Sequence, residues 1–293
     1  MEHSGSALRP FRGMRFLYGG LALAAISIVV TIDAWSDILN IASNDEESSH
    51  IFLVPIVCAW IVWVRRGRMR HCRPIGRWIG PILVAAGWVI WHIGFNFAVQ
   101  TFWHGGSVLI ATGCLISITG VDIVRRFLPA FAVLAFLVPV PVAVRQEIAL
   151  PLQNTTAQVT QALLEILGWP TELSGNVLRI NGREVGIAEA CNGLRMVFAL
   201  VLVSFAFAFG TPLRMYVRLI VLAISPLSAI LCNVIRLIPT VWFYGYTTIE
   251  MGDKFHAASG WVMLAVAFLI LMGVIRVLQW ALVPVTRYTL AYD

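Results

Sequence analysis

Eight apolar stretches, at residues of about 16–34, 51–64, 79–98, 106–121, 127–144, 192–209, 217–238 and 257–280, recur along the chain with few charges inside them. Most approach the roughly 20 residues a helix needs to cross a bilayer, and none shows the period-two alternation of a membrane barrel. Hydrocarbon offers backbone N–H and C=O groups no partners, so such segments cross as helices. With 59% hydrophobic and only 12% charged residues, the chain lacks the polar surface of a soluble domain. The expectation is an all-α polytopic membrane protein of about eight transmembrane helices, with 1–293 a single integral membrane domain. The second stretch is short and is expected to borrow flanking residues. The first is too long for a cleavable signal peptide, and no small-residue cleavage site follows it.

The arginines orient the chain. With the N-terminus inside, the cytoplasmic side receives Arg9, Arg12, Arg15, the run RRGRMRHCRPIGR at 65–77, Arg125, Arg126, Arg214, Arg218, Arg276 and Arg287, fifteen of the 21 basic residues. Most acids, Asp45, Glu46 and Glu47 among them, then fall outside. This asymmetry gives N-in/C-in topology. The net charge of +6 is thereby accounted for by topology and anionic lipid and requires no nucleic acid.

Between the fifth and sixth stretches lies the longest connection, an external insert at about 145–191. QEIALPLQNTTAQVTQALLEILG carries apolar residues at helical spacing and is expected to form an amphipathic interfacial helix, ended by Gly168 and Pro170. NVLRINGREVGI alternates around Asn181-Gly182, a strong hairpin signal. That hairpin leads to EACNGLR at 189–195, where Cys191 stands between Glu189 and Arg195 at the start of the sixth stretch.

The topology brings Cys191, Arg236 near the end of the seventh stretch and His256 at the start of the eighth to one depth. An arginine within a membrane helix is a functional-site candidate by default. A thiolate is the nucleophilic form of cysteine, and a neighbouring cation or a helix N-terminus stabilises it. His256 can hold the thiol proton and return it to a leaving amine, while Arg236 can steady an oxyanion. Cys58, Cys114 and Cys232 read as small apolar fillers, and five cysteines lying mostly within spans imply no disulfide framework. Zinc on His50, His104, His256 and Cys191 is not supported by any HExxH or CxxC spacing, so neither metal nor other cofactor is expected.

EACNGLR with Cys191, NVIR with Asn233 and Arg236, and HAASGW with His256 resemble the motif blocks of the exosortase/archaeosortase family, and SHIFLVPIVCAWIVWVRR at 49–66 resembles its N-terminal block. The resemblance runs from about residue 35 to 280. It implies a membrane cysteine transpeptidase acting through a thioacyl intermediate. The implied substrates are exported, membrane-anchored proteins whose C-terminal sorting signal is a motif such as Pro-Glu-Pro, then a transmembrane helix, then a basic cluster. Carried over, Cys191 is the nucleophile, Arg236 the substrate or oxyanion partner and His256 the acid/base. Asn192, Gly193, Asn233 and Gly260 match as supporting positions, His50 belongs to the Ser-His pair of the first block, and Glu189 and Arg195 flank the nucleophile. The implied location is the inner membrane with the site on its outer face. Two other readings stay open from the residues themselves: a transporter with an Arg/His anion site, and a non-catalytic assembly factor for surface polysaccharide export.

Overall fold

The computed structural model describes residues 12–186 and 193–280. Helices dominate: α1 (Arg12–Val30), α2 (Ile32–Asn44), α3 (Leu53–Val64), α4 (Ile79–Asn96), α5 (Gln100–Thr119), the short α6 (Asp122–Arg126) and α7 (Leu128–Leu134), α8 (Val142–Ile166), α9 (Gly193–Gly210), α10 (Met215–Tyr246) and α11 (Ile249–Trp280). Three strands, β1 (Thr171–Ser174), β2 (Val177–Ile180) and β3 (Arg183–Gly186), form an antiparallel meander. By contacts the chain divides into Met1–Asn44 with Val54–Pro139, and Asp45–Leu53 with Val140–Asp293.

Among the described residues, five helices are long and apolar enough to cross a membrane, or up to seven if each of two broken pairs is one span. Eight were expected, and the differences have local causes. The first stretch stops at Thr31, where α1 and α2 meet at 81°. There Thr31 Oγ1 donates to the Ser27 carbonyl at 2.8 Å and accepts from Trp35 Nε1 at 3.1 Å. The 127–144 stretch is not one helix: α7 gives way to a 3-10 turn at Ala135–Leu137, and α8 begins at Val142. Pro139 and Pro141 lack N–H groups and push the residues before them toward extended backbone, so no helix passes through VPVP. The second stretch does borrow from its flank, since a 3-10 turn at Glu46–Phe52 runs directly into α3 and extends the candidate span to Glu47–Val64. The sixth, Leu194–Gly210, stands at the short limit for a crossing.

In the first unit, Gly80, Gly87 and Gly94 of α4 recur every seven residues, are all buried and face α5. A Cβ on Gly80 would stand 2.3 Å from the Ser117 nitrogen, and one on Gly94 2.2 Å from the Trp103 nitrogen. From the other side, a Cβ on Gly106 would stand 2.5 Å from the Trp91 nitrogen and one on Gly113 2.8 Å from the Val84 nitrogen. The two backbones touch, as small residues permit where no hydrophobic effect drives helices together. Across the same unit, buried His104 on α5 places its Nε2 2.9 Å from the Asp37 carboxylate of α2.

In the second unit, α8 is the helix expected in the insert, with Ala149, Thr156, Ala157, Thr160 and Leu164 buried along one face. It ends where Gly168 adopts φ +87° and the Trp169 N–H reaches the Leu164 carbonyl at 2.9 Å. The expected hairpin is β2–β3, with Asn181 and Gly182 both at positive φ. β1 adds a strand the alternation pattern did not announce. Leu178, Ile180 and Val185 on one sheet face pack with Ala157 and Leu164 of α8 and with Leu237 and Val241 of α10. Met196 and Leu200 of α9 close a second cluster with Ala229 and Cys232 of α10 and Ala267 of α11. Pro226 inside α10 deprives the Leu222 carbonyl of its helical donor, and the Ser225 hydroxyl fills that place at 2.9 Å.

Replacing Gly94 by Ala forces the α4 and α5 backbones apart and is expected to cost about 1–3 kcal/mol. Gly273→Ala, with nothing within 4 Å of the added carbon, is the control. Thermal unfolding in detergent should show a clear fall for the first variant and none for the second. Equal midpoints would contradict the backbone contact.

Candidate active site

The seventh and eighth stretches extend well past their apolar windows. Arg236 therefore lies ten residues before the end of α10, and His256 seven residues into α11, rather than at helix ends. At 1.5 Å per residue these are about 15 Å and 10 Å from the turn joining the two helices. The added turns are held by their own contacts: the Tyr244 hydroxyl donates to Asp253 at 2.6 Å, Phe243 stacks on Phe255 at 4.6 Å, and Gly252 lies against the Tyr244 ring.

Arg236 is 7% exposed and Asn233, one turn earlier, 3%. The Arg236 Nη2 donates to the Asn233 side-chain oxygen at 3.3 Å. The other guanidinium nitrogen reaches α11: a Cβ on Gly260 would stand 3.1 Å from Arg236 Nη1. Gly260 is four residues beyond His256, hence on the same helix face. The arginine thus spans the α10–α11 seam one turn from the half-buried histidine. Hydroxyls bond back to the carbonyls of both residues, Thr240 to Arg236 at 2.7 Å and Ser259 to His256 at 3.0 Å.

Cys191, Asn192 and Glu189 lie outside the described residues. Gly193 opens α9, and half-buried Arg195 belongs to its first turn. His50, 4% exposed, stacks on Phe198 of α9 with ring centroids 4.9 Å apart. Its Nδ1 is 3.0 Å from the Glu47 carbonyl oxygen. A carbonyl only accepts, so Nδ1 carries the hydrogen of that bond. Sequence reasoning did not find what holds this 3-10 turn. Arg145, at the start of α8, pairs with Asp45 and, at 2.9 Å, with Glu47. Asp45 also caps the turn, accepting from the Glu47 N–H at 3.0 Å and the Ser48 hydroxyl at 2.9 Å. A pairing of two acids with a base about a hundred residues later carries no local signal.

Cys232 is fully buried in its apolar cluster and Cys114 is buried, while Cys58 is half-buried with its sulfur 3.7 Å from the Ala130 carbonyl. His104 belongs to the first unit with Asp37, whereas His50 and His256 belong to the second. No group of three or more metal-ligating side chains occurs among the described residues. Chemically, α10 and α11 present a buried cation and a proton-transfer group on one seam, and the described start of α9 lies two residues after a thiol.

A sequence model described as transmembrane exosortase matches residues 35–273. Comparison with curated proteins and with solved structures gives no match.

Burial alone raises the Asp45 carboxyl, but the bonds from Arg145, Ser48 and the Glu47 N–H, with the charge of Arg145, outweigh it and hold the group below its ordinary value. A carboxyl so depressed contributes stability that is fully present above about pH 4 and lost as pH falls through the folded value. Wild type is therefore expected to melt above Asp45→Asn at pH 7, with the gap closing below about pH 4. A gap that stayed constant down to pH 3 would remove Asp45 as the titrating group.

Proposed function

Because the chain belongs to the transmembrane exosortase family, we propose that it is a membrane-embedded cysteine transpeptidase that cleaves C-terminal sorting signals of exported, membrane-anchored proteins. The observation that carries most weight is the buried Arg236, spanning from α10 to the α11 face that bears His256. An arginine buried within an apolar helix is a functional-site candidate, and with His256 it complements the thiol at Cys191.

In the proposed reaction, His256 takes the Cys191 proton and the thiolate attacks the carbonyl carbon of the scissile peptide. The oxygen gains the displaced electron pair, and Arg236 stabilises that charge. The intermediate collapses, the C–N bond breaks, and His256 gives its proton to the departing amine. A thioester to Cys191 remains. An incoming amine or water then loses a proton to His256, attacks the thioester carbonyl and releases the thiolate. Asn233 steadies the guanidinium from one turn away. His50 serves by packing against α9, so its role is positioning.

In this reading the topology is N-in/C-in and the site faces the outer side of the inner membrane; the arginine asymmetry supports the orientation. The substrate carries a Pro-Glu-Pro-like motif beside its transmembrane helix, so its scissile bond stands at the depth of the site.

Cys191→Ala, Arg236→Ala and His256→Ala should each abolish the size shift of such a substrate in membranes. The Cys191/His256 double variant should be no worse than Cys191→Ala, because groups acting as a unit are non-additive. Arg236→Lys should fail largely, since an ammonium lacks the planar fork, whereas Cys232→Ala should remain active and His50→Ala should retain residual processing. Full processing by Cys191→Ala would end the proposal. For the topology, a reporter fused after Asp253 should be external and one fused within 67–73 cytoplasmic; an internal report from the first would move the site to the wrong face.

A further inference from the structure

The tip of the β2–β3 hairpin is bound to the end of the helix that carries Arg236. Asn181 Nδ2 donates to the Gly245 carbonyl at 3.1 Å. Arg183 Nη1 donates to the Tyr244 carbonyl at 3.1 Å and to the Thr247 carbonyl. The last carbonyls of a helix have no intrahelical donors, and a cation among them also opposes the helix dipole. Gly245 makes the approach possible, since a Cβ there would stand 2.6 Å from Ile180 Cγ2. Just below, the inner sheet face packs on Leu237 and Val241, one and five residues beyond Arg236.

Three chain segments leave this one junction. β3 ends at Gly186, five residues before Cys191, a tether of at most about 18 Å. Beyond Cys191, Leu194 is already 2% exposed in the first turn of α9. α10 runs back from its capped end to Arg236. The turn at Thr247 and Thr248 opens α11, whose Asp253 and Phe255 grip Tyr244 and Phe243 just before His256. Arg183 is itself exposed, so neither burial nor a membrane requirement accounts for where it points.

Resting on the transpeptidase proposal above, we propose that Arg183, assisted by Asn181, is a positioning residue of the site. By latching the hairpin to the C-terminal carbonyls of α10, it holds on the Arg236-bearing helix the strand end from which the chain runs to Cys191. The substrate is not touched by the latch. Its loss frees that strand end from α10 and leaves substrate binding in place.

The test measures processing of a membrane-anchored sorting-signal substrate, together with alkylation of Cys191 against pH, followed by mass on the peptide containing it. Arg183→Ala is expected to lower kcat by about 100-fold, the scale of an ångström-size misplacement, with KM little changed. Its alkylation profile should move to higher pH, because the strand leading to the thiol is then no longer tied to the helix that carries the Arg236 cation. Arg183→Lys, which still offers a cation to the carbonyls, should recover part of both. Arg179→Ala, an exposed strand residue paired only loosely with Glu172 at 3.8 Å, should match wild type. Asn181→Gly keeps the positive-φ turn while removing its amide bond, and should show a smaller loss of the same kind. Unchanged rate and alkylation profile in Arg183→Ala would overturn the latch. So would unfolding of Arg183→Ala at the assay temperature with Asn181→Gly indistinguishable from wild type. If Cys191→Ala itself processes substrate, the transpeptidase proposal fails instead, and the alkylation profile still decides whether Arg183 places the thiol.

Discussion

A guanidinium buried among apolar helices constrains everything around it, because its five donors and its charge have to be accommodated where water is scarce. Arg236 meets that requirement with an amide one turn away and a glycine across the seam. The missing side chain at Gly260 lets the charge cross to α11, on which His256 stands one turn earlier. Long helices follow from this placement. To bury Arg236 some way from its end, α10 continues to Tyr246, and α11 answers with turns of its own that carry Gly252, Asp253 and Phe255 to the aromatic end of α10.

Longer helices move the problem of unsatisfied carbonyls to a new place, and here the small sheet acts. Its apolar face lies on α8 and α10, while its turn reaches the carbonyls that α10 leaves open. The sheet is small for an independent unit, with four residues per strand, and gains its order from the helices beneath it.

Hydropathy made the helix cores legible, and residue type made Arg236 and His256 legible. Ends were harder. Pro239 and Thr240 interrupt the apolar run, so the expected stretch closed at 238 although the helix continues to Tyr246, and Arg236 looked terminal when it is internal. The polar composition of IDAWSDILNIASN hid α2, and the apolar tone of the 127–144 stretch outweighed Pro139 and Pro141, whose missing N–H groups decide the matter. Gly80, Gly87 and Gly94 stand at a visible seven-residue spacing, but spacing does not reveal that Gly106 and Gly113 are their counterparts. Asn181-Gly182 announced one hairpin; β1, with TELS in place of β-branched alternation, did not announce itself. Of the site, the positions at 189, 191 and 192 were read from motif and lie outside the described residues, whereas the partnership of Arg236 with Gly260 came only from geometry.

The pairing of Arg145 with Asp45 and Glu47 also bears on the order in which the chain can be completed. Residues 45–53 pack with the second unit although both their neighbours in sequence belong to the first. During synthesis they emerge early, and the arginine that neutralises them follows a hundred residues later. At ordinary elongation rates of about 5–20 residues per second, that is a wait of about 5–20 s. Throughout it Ser48 and His50, which end buried, have neither the start of α8 nor α9 to cover them. Biogenesis of the second unit is therefore non-sequential: its first element is made before most of the first unit and takes its place only after α9 has been made.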